Sequence, residues 1–380
     1  MHAETLKYVS LTMKSKILSS FCLLFVSVMS AFAIETVPIK GSIIPPTDPR
    51  IQYTGRISFA NPERPAWNFP GIQIIAAFEG TSLRMIAKPQ SGYFVAQIDQ
   101  AEPFKVAFRG ERDSVVTLAT ALPEGCHTVR LMYAIEGYEF NPEFWGFVLD
   151  EGRQLAEAPV LPSRKIEFIG NSITCAYGIE GDGSEKKFSY SQQNIYYGYA
   201  ARTARALNAQ YQLVSRSGIG VYRNSNGNIN GDRSVMPVYY PYTLFKKSGE
   251  LWDFNRYQPD VVCIILGTND TTLPKYRIDL LTKAFCKFLR DVRSHYPNAK
   301  IVLLTGTMLK AGSQRLADLK QAEDDAMADA KRRGDNEVYR FDFTPADGSL
   351  GYGTHKHPSM RQHEQMAEEL TAFLQRLMNW

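Results

Sequence analysis

Four short segments carry residues suited to nucleophilic chemistry, and each lies just beyond an apolar run. The first is Gly170-Asn171-Ser172-Ile173-Thr174, after the run 166–169. The others are Ser217-Gly218-Ile219-Gly220-Val221, Gly267-Thr268-Asn269-Asp270 and His355-Lys356-His357-Pro358-Ser359. A serine delivered by a strand to the carboxyl edge of a parallel sheet sits where open α/β sheets hold their sites. To act as a nucleophile it needs a base, donors for the oxyanion and room for an acyl group. The Ser172 N–H, an N–H of the glycine loop and the Asn269 amide are candidate donors, each typically worth about 3 kcal/mol in the transition state. Glycines suit that loop because backbone must approach substrate closely. Asn269 donates without bringing a charge.

The base is sought among five histidines after residue 33. His127 falls on a strand or turn. His295 ends a long helical pattern before Tyr296-Pro297, a surface or C-cap position. His363 reads as a surface residue of the last helix. His355 and His357 remain, with Pro358 in the first turn of that helix fixing the entry geometry. A zinc reading of the His-x-His pair lacks a third ligand at metal spacing. Taken singly, each segment is an ordinary turn or helix cap. The order Ser, Gly, Asn, His on successive strand ends is what points to a site.

The elements that must position these residues alternate. Strands are expected at 166–169, 211–214, 261–266, 301–304 and 338–341, with helices at 197–207, 277–295, 315–332 and 360–377. Five β-α units imply a parallel sheet with helices on both faces. Before Pro159-Val160-Leu161-Pro162 the pattern changes to short alternating segments, at 73–78, 93–98, 115–118, 128–133 and 144–149, which suit an antiparallel sandwich or jelly roll. Residues 1–33 read as a secretory signal peptide. Met13-Lys14-Ser15-Lys16 precedes a short apolar run that closes on Ala31-Phe32-Ala33. The expected domains are therefore 34–160, all-β, and 161–380, catalytic.

Composition narrows the function further. Residues 1–33 hold Lys7, Lys14, Lys16 and Glu4, a net +2 of the total +4, which leaves about +2 on the mature chain. That is too little for a nucleic-acid stripe. The apolar run is too short to span a bilayer, so no stable membrane insertion is expected after cleavage. Cys126, Cys175, Cys263 and Cys286 form no C-x-x-C pair and read as small buried side chains, and Cys22 lies in the signal run.

Together the four segments resemble the blocks of the SGNH (GDSL-type) hydrolase superfamily, with Asn171 where Asp is usual. The run 166–174, the β-sandwich and Ser217-Gly218-Ile219-Gly220-Val221-Tyr222-Arg223-Asn224 resemble, more narrowly, the two-domain acetyl esterases of carbohydrate esterase family two. That resemblance implies a three-layer α/β/α, flavodoxin-like hydrolase domain with a five-stranded parallel sheet behind an all-β jelly-roll domain. It implies Ser172 as nucleophile, His357 as base, and an oxyanion hole of Ser172, Asn269 and Gly220, with Gly218 the runner-up. The implied substrate is O-acetyl groups on plant polysaccharides such as glucomannan or xylan, often at the 6-position, hydrolysed outside the cytoplasm with no metal or organic cofactor.

In that family an Asp commonly stands two residues before the histidine and an aromatic one before it. Here those places hold His355 and Lys356. Either a Ser-His dyad operates, with a backbone carbonyl orienting His357, or a distant Asp such as Asp347 folds in; the dyad is favoured. Lys356, Arg223, Asn224, Gly218 and Trp252 are candidate sugar contacts, with the 239–242 tyrosine cluster an alternative platform. A lipase or thioesterase would want an apolar groove, whereas this loop continues into Asn226, Asn228, Asn230 and Asp232. A glycan-binding protein with a decayed site is the reading from another class. Trp67 and Trp145 are expected as exposed aromatics on the β domain.

Overall fold

Short apolar strands, several of them buried along nearly their whole length, build two antiparallel sheets in the computed structural model, which describes residues 39–245 and 249–380. The strands are β1 (Ser42–Ile44), β2 (Gln52–Thr54), β3 (Gln73–Glu79), β4 (Leu83–Ala87), β5 (Gly92–Ile98), β6 (Phe104–Phe108), β7 (Val115–Ala119), β8 (Cys126–Tyr133) and β9 (Phe144–Leu149). One sheet runs β1-β9-β4-β7 and the other β2-β3-β8-β5-β6. The five expected segments fall on β3, β5, β7, β8 and β9; the strands missed are mostly shorter. Trp67 is not exposed. It lies at the centre of this core, fully buried, with edge contacts to Phe94 and Tyr133 at 6.0 and 5.6 Å. Trp145 is partly covered, its indole N–H donating to Glu143 and Arg64 lying over its ring. The signal-peptide reading of 1–33, and Cys22 with it, fall outside the described residues.

The second half forms a parallel sheet from β10 (Arg164–Gly170), β11 (Ala209–Ser215), β12 (Val261–Ile265), β13 (Lys300–Thr305) and β14 (Val338–Asp342). Its order is β11-β10-β12-β13-β14, the flavodoxin-like order 2-1-3-4-5. Helix α1 (Tyr199–Ala206) and the last helix, α5 (Met360–Met378), pack with Phe168, Cys263 and Leu304 on one face. On the other, α3 (Ile278–His295) and α4 (Gln314–Arg332) cover Ile169, Ile264 and Leu303, while α2 (Met236–Tyr239) is a single turn. All five side chains of β12 are buried, the mark of a strand covered on both faces. The α1-α5 side shares one continuous apolar core with the β sandwich. The irregular stretch 156–163, where Val160 is 97% exposed, connects the two parts. Among the described residues no helix is long and apolar enough to cross a membrane.

In this parallel sheet the strand order reverses between β10 and β12, which is where ligands bind in open α/β sheets. Both strands feed that point, since Gly170 pairs in register with Ile265. Ser172 and Asn269 follow these two strands directly.

Candidate active site

Ser172 opens a tight turn. Cys175 N–H donates to Asn171 O and Tyr177 N–H to Ser172 O, both at 3.0 Å, and the Asn171 side chain accepts from Ile173 N–H at 3.0 Å. Asn171 thus supplies the cap that the usual Asp would, without a charge. The turn ends at Gly178, whose φ of +62° and whose approach to Thr354, 2.5 Å from a built Cβ, leave no room for a side chain. Thr354 N–H donates to Gly178 O at 3.0 Å, so the histidine loop is docked on the turn that Ser172 opens.

That docking sets the reacting pair. His357 Nε2 lies 2.9 Å from Ser172 Oγ, and Nδ1 lies 3.2 Å from Thr354 O. A carbonyl only accepts, so Nδ1 carries the proton and Nε2 is left to accept from the serine hydroxyl. Among the described residues no carboxylate hydrogen-bonds His357. Asp347 instead accepts from Ser349 N–H and Oγ at 2.8 and 2.6 Å. Burial drives the His357 pKa down to about 4, against the pull of the Thr354 carbonyl. The neutral base is therefore fully populated at pH 7.

The intervening residues are strained. His355 and Lys356 have φ of +55° and +59°, a left-handed pair costing on the order of 1 kcal/mol each. His355 is anchored on Lys186 O and Tyr177 Oη, at 3.2 and 3.1 Å. Tyr177 stacks on Phe188 at 3.9 Å and tilts against His357 at 4.5 Å. This aromatic wall stands beside His357, and only its nearness to Ser172 in sequence hinted at it. Pro358 precedes the helix rather than opening it. Ser359 is the N-cap, accepting from Gln362 N–H, and α5 starts at Met360.

The glycine loop is held by the segment after β12. Asp270 is fully buried and accepts from the N–H groups of Val221, Tyr222, Arg223 and Gly267. Burial pushes its carboxyl up, outweighing the backbone N–H groups of Tyr222, Arg223 and Val221 that pull it down. Asn269 Nδ2 donates to Ile219 O at 2.8 Å, and its second amide hydrogen has no acceptor among the described residues. Gly220 is required for contact: a Cβ there would meet Arg223 O at 1.9 Å and the Asp270 carboxylate at 2.6 Å. Its N–H donates to Asn224 Oδ1 at 3.1 Å and is thus committed inside the loop. The N–H of Gly218 has no such partner among the described residues and is left open to a ligand.

Other expected contacts also change place. The Arg223 guanidinium is 1% exposed and donates to Lys275 O at 2.6 Å, so it serves the loop's interior and not a substrate. Trp252 is 5% exposed and lies under the guanidiniums of Arg56 and Arg256, which closes it to stacking. Tyr240 is buried, and Tyr239 stacks on Phe245 at 4.0 Å. Asn224 does border open space, a polar depression of about 360 Å³ lined by Arg216, Ser217, Gly218, Ser225, Asn226 and Asp232 among others. Lys356 is exposed beside His357. His363 is fully buried, its Nδ1 accepting from Tyr199 N–H at 3.2 Å, and is not a surface residue. His295 stacks on Phe254 at 3.6 Å, and His127 pairs with Asp99 at 2.7 Å. Cys126 is exposed, whereas Cys175 and Cys263 are buried as expected. A separate cavity of about 420 Å³, bordered by Thr54, Arg130 and Tyr211, includes none of Ser172, Gly218, Asn269 or His357.

Comparison with known proteins follows the same division. Residues 53–159 match the model of the carbohydrate esterase 2 N-terminal domain, and 168–368 that of the GDSL-like lipase/acylhydrolase family. The chain is 37% identical to the cellulase/esterase CelE of Acetivibrio thermocellus over 88% of its own length, but spans only 40% of that protein. It is 29% identical to an acetylxylan esterase / glucomannan deacetylase of Cellvibrio japonicus, covering 88% of this chain and 90% of the relative. A solved structure of a family two carbohydrate esterase from Clostridium thermocellum in complex with cellohexaose superposes with a TM-score of 0.80 at 37% identity. It covers 87% of this chain and 99% of that one.

Proposed function

The chain belongs to the GDSL-like lipase/acylhydrolase family, among the family two carbohydrate esterases, and as a carboxylic ester hydrolase of that kind we propose that it removes O-acetyl groups from plant polysaccharides. The observation that carries this reading is the 2.9 Å contact from Ser172 Oγ to His357 Nε2, with the tautomer set by Thr354 O.

Ser172 Oγ attacks the acetyl carbonyl while His357 Nε2 takes its proton. The oxyanion is held by the Ser172 N–H, the Gly218 N–H and the free hydrogen of Asn269 Nδ2. His357 returns the proton to the departing sugar oxygen. Water, deprotonated by the same Nε2, then attacks the acyl-enzyme and releases acetate and Ser172. No carboxylate takes part, so the machinery is a dyad whose imidazole is oriented by a peptide carbonyl. The polar depression and the Tyr177-Phe188 wall favour a sugar over a fatty acyl chain. Xylan and glucomannan, with the 6-position of hexosyl units a favoured site, are the proposed substrates, met outside the cytoplasm.

Acetate release from acetylated xylan and acetylated glucomannan, with 4-nitrophenyl acetate as reference, tests this. The wild type is expected to act on both polymers, and Ser172→Ala and His357→Ala to lose at least about 10³-fold in kcat. Preference for long acyl esters would point to a lipase, and glycan binding without hydrolysis to a decayed site; either would overturn the proposal.

A further inference from the structure

One buried carboxylate at this site has no part in the dyad. Glu136 follows β8 in the β region, is 2% exposed, and reaches the glycine loop from outside the catalytic sheet. It accepts from Ser217 N–H at 2.6 Å through one oxygen and from Ser217 Oγ–H at 2.6 Å through the other. Gln193, itself fully buried, extends the network: its Nε2 donates to Cys175 O at 2.7 Å and lies 3.4 Å from the carboxylate. Cys175 belongs to the turn begun by Ser172, and its thiol contacts Ser215 Oγ at 3.3 Å, at the end of the strand feeding the glycine loop.

The position of Ser217 gives these contacts their meaning. The peptide joining Ser217 to Gly218 carries the Gly218 N–H. Glu136 fastens Ser217, just ahead of that peptide, through its own N–H and its hydroxyl. Beyond the peptide, Gly218 O accepts from Ser225 N–H at 2.9 Å and Ile219 O accepts from Asn269 at 2.8 Å. Preorganised donors stabilise an oxyanion because they need not reorganise as charge develops. Charge-assisted hydrogen bonds to an ionised acceptor are the strongest available for holding a peptide still.

We propose that Glu136 is the positioning residue of the oxyanion hole, holding Ser217, the residue that precedes the Gly218 N–H, from the β region and, through Gln193, tying it to the turn that carries Ser172. This rests on the esterase reading above and deepens it. The β region is then a working part of the catalytic centre as well as a neighbour of the substrate.

The test is hydrolysis of 4-nitrophenyl acetate by full-length wild type, Ser172→Ala, Glu136→Ala, Glu136→Gln and Ser217→Ala. It is paired with the rate at which a 4-nitrophenyl phosphonate, whose anionic oxygen occupies the oxyanion position, inactivates each. Glu136→Ala is expected to lose about 10–100-fold in kcat at nearly unchanged KM, with an equal loss in phosphonate inactivation. Glu136→Gln keeps an oxygen for the Ser217 N–H and an amide for its hydroxyl, and should recover to within about fivefold of wild type. Ser217→Ala removes one of the two bonds and should fall about 3–10-fold in kcat. It decides the matter if Glu136→Ala does not fold. A folded Glu136→Ala with wild-type kcat, or a Ser217→Ala with no change, overturns the proposal. So does equal damage in the Gln and Ala variants that tracks thermal stability. Loss of the esterase reading itself looks different: the wild type would be inert, or Ser172→Ala would remain active.

Discussion

Two buried carboxylates join the β region to the catalytic sheet, and their company differs. Glu167, on β10 beneath the nucleophile, is fully buried and faces the Arg56 guanidinium at 3.2 Å. It also accepts from Gln212 Nε2, Tyr240 Oη and Tyr296 Oη at 2.6, 2.7 and 3.2 Å. Among the described residues Glu136 is met by the neutral donors Ser217, Cys175 and Gln193, and burial pushes its carboxyl up. The first arrangement secures a scaffold, because the paired cation offsets a charge that would otherwise be costly to bury. The second holds a peptide at the place where negative charge must form. A charge pair in the scaffold and neutral donors at the working edge are the two solutions this molecule uses.

That contrast can be broken most severely at Arg56. Its guanidinium also donates to the carbonyls of Tyr240 and Tyr242. Arg56→Met leaves Glu167 uncompensated and should cost about 3–5 kcal/mol in chemical denaturation, while Arg56→Met with Glu167→Leu should regain part of that loss. At a temperature where the single variant stays folded, kcat should be within about threefold of wild type, the reverse of the split expected at Glu136. A loss below about 1 kcal/mol would show that the pair is dispensable.

A second buried group sharpens the comparison through pH. His363 accepts from Tyr199 N–H through Nδ1, its Nε2 has no partner among the described residues, and burial lowers its pKa to about 3. Its folded pKa lies below the ordinary value of 6.5, so the native state resists protonation. Its contribution is fully present above pH 6.5 and is lost as pH falls toward 3. The loss at pH 4 is on the order of 3 kcal/mol, and His363→Gln should flatten the unfolding profile between pH 6.5 and 4. An unchanged slope would contradict the assignment.

The smallest effect is expected at Trp252. Buried under Arg56 and Arg256, it serves packing, and Trp252→Phe should cost about 1–2 kcal/mol of stability while leaving KM for acetylated polysaccharide within about twofold. A large rise in KM would return Trp252 to the substrate path.

The reacting pair was legible in sequence because each member follows directly from a strand end or a helix start, so local pattern carried it. The alternation of strands and helices was legible for the same reason, as β12 reads as one apolar run, whereas the flavodoxin-like layering came from the family resemblance. Gly218 and Gly220 could not be separated that way. What distinguishes them is the Asn224 side chain turning back on the loop, a contact with no periodicity. Arg223 and Trp252 looked like ligands because polar and aromatic residues near a glycine loop usually face solvent, whereas here tertiary packing draws both inside. Glu136 was invisible for a stronger reason. It lies 81 residues before Ser217, in the other half of the fold.

The central claim is a Ser-His dyad whose imidazole is oriented by the Thr354 carbonyl without a carboxylate. An acid partner raises the pKa of a catalytic imidazole, and burial without one lowers it. The most direct test is the pH dependence of kcat/KM for 4-nitrophenyl acetate, which reports the free enzyme's base. With His357 lowered to about 4, activity should hold level from neutral pH down to about 5 and fall only as pH drops through 4. An inflection at or above the ordinary histidine value of 6.5 would mean that a carboxylate supports His357, and would contradict the dyad.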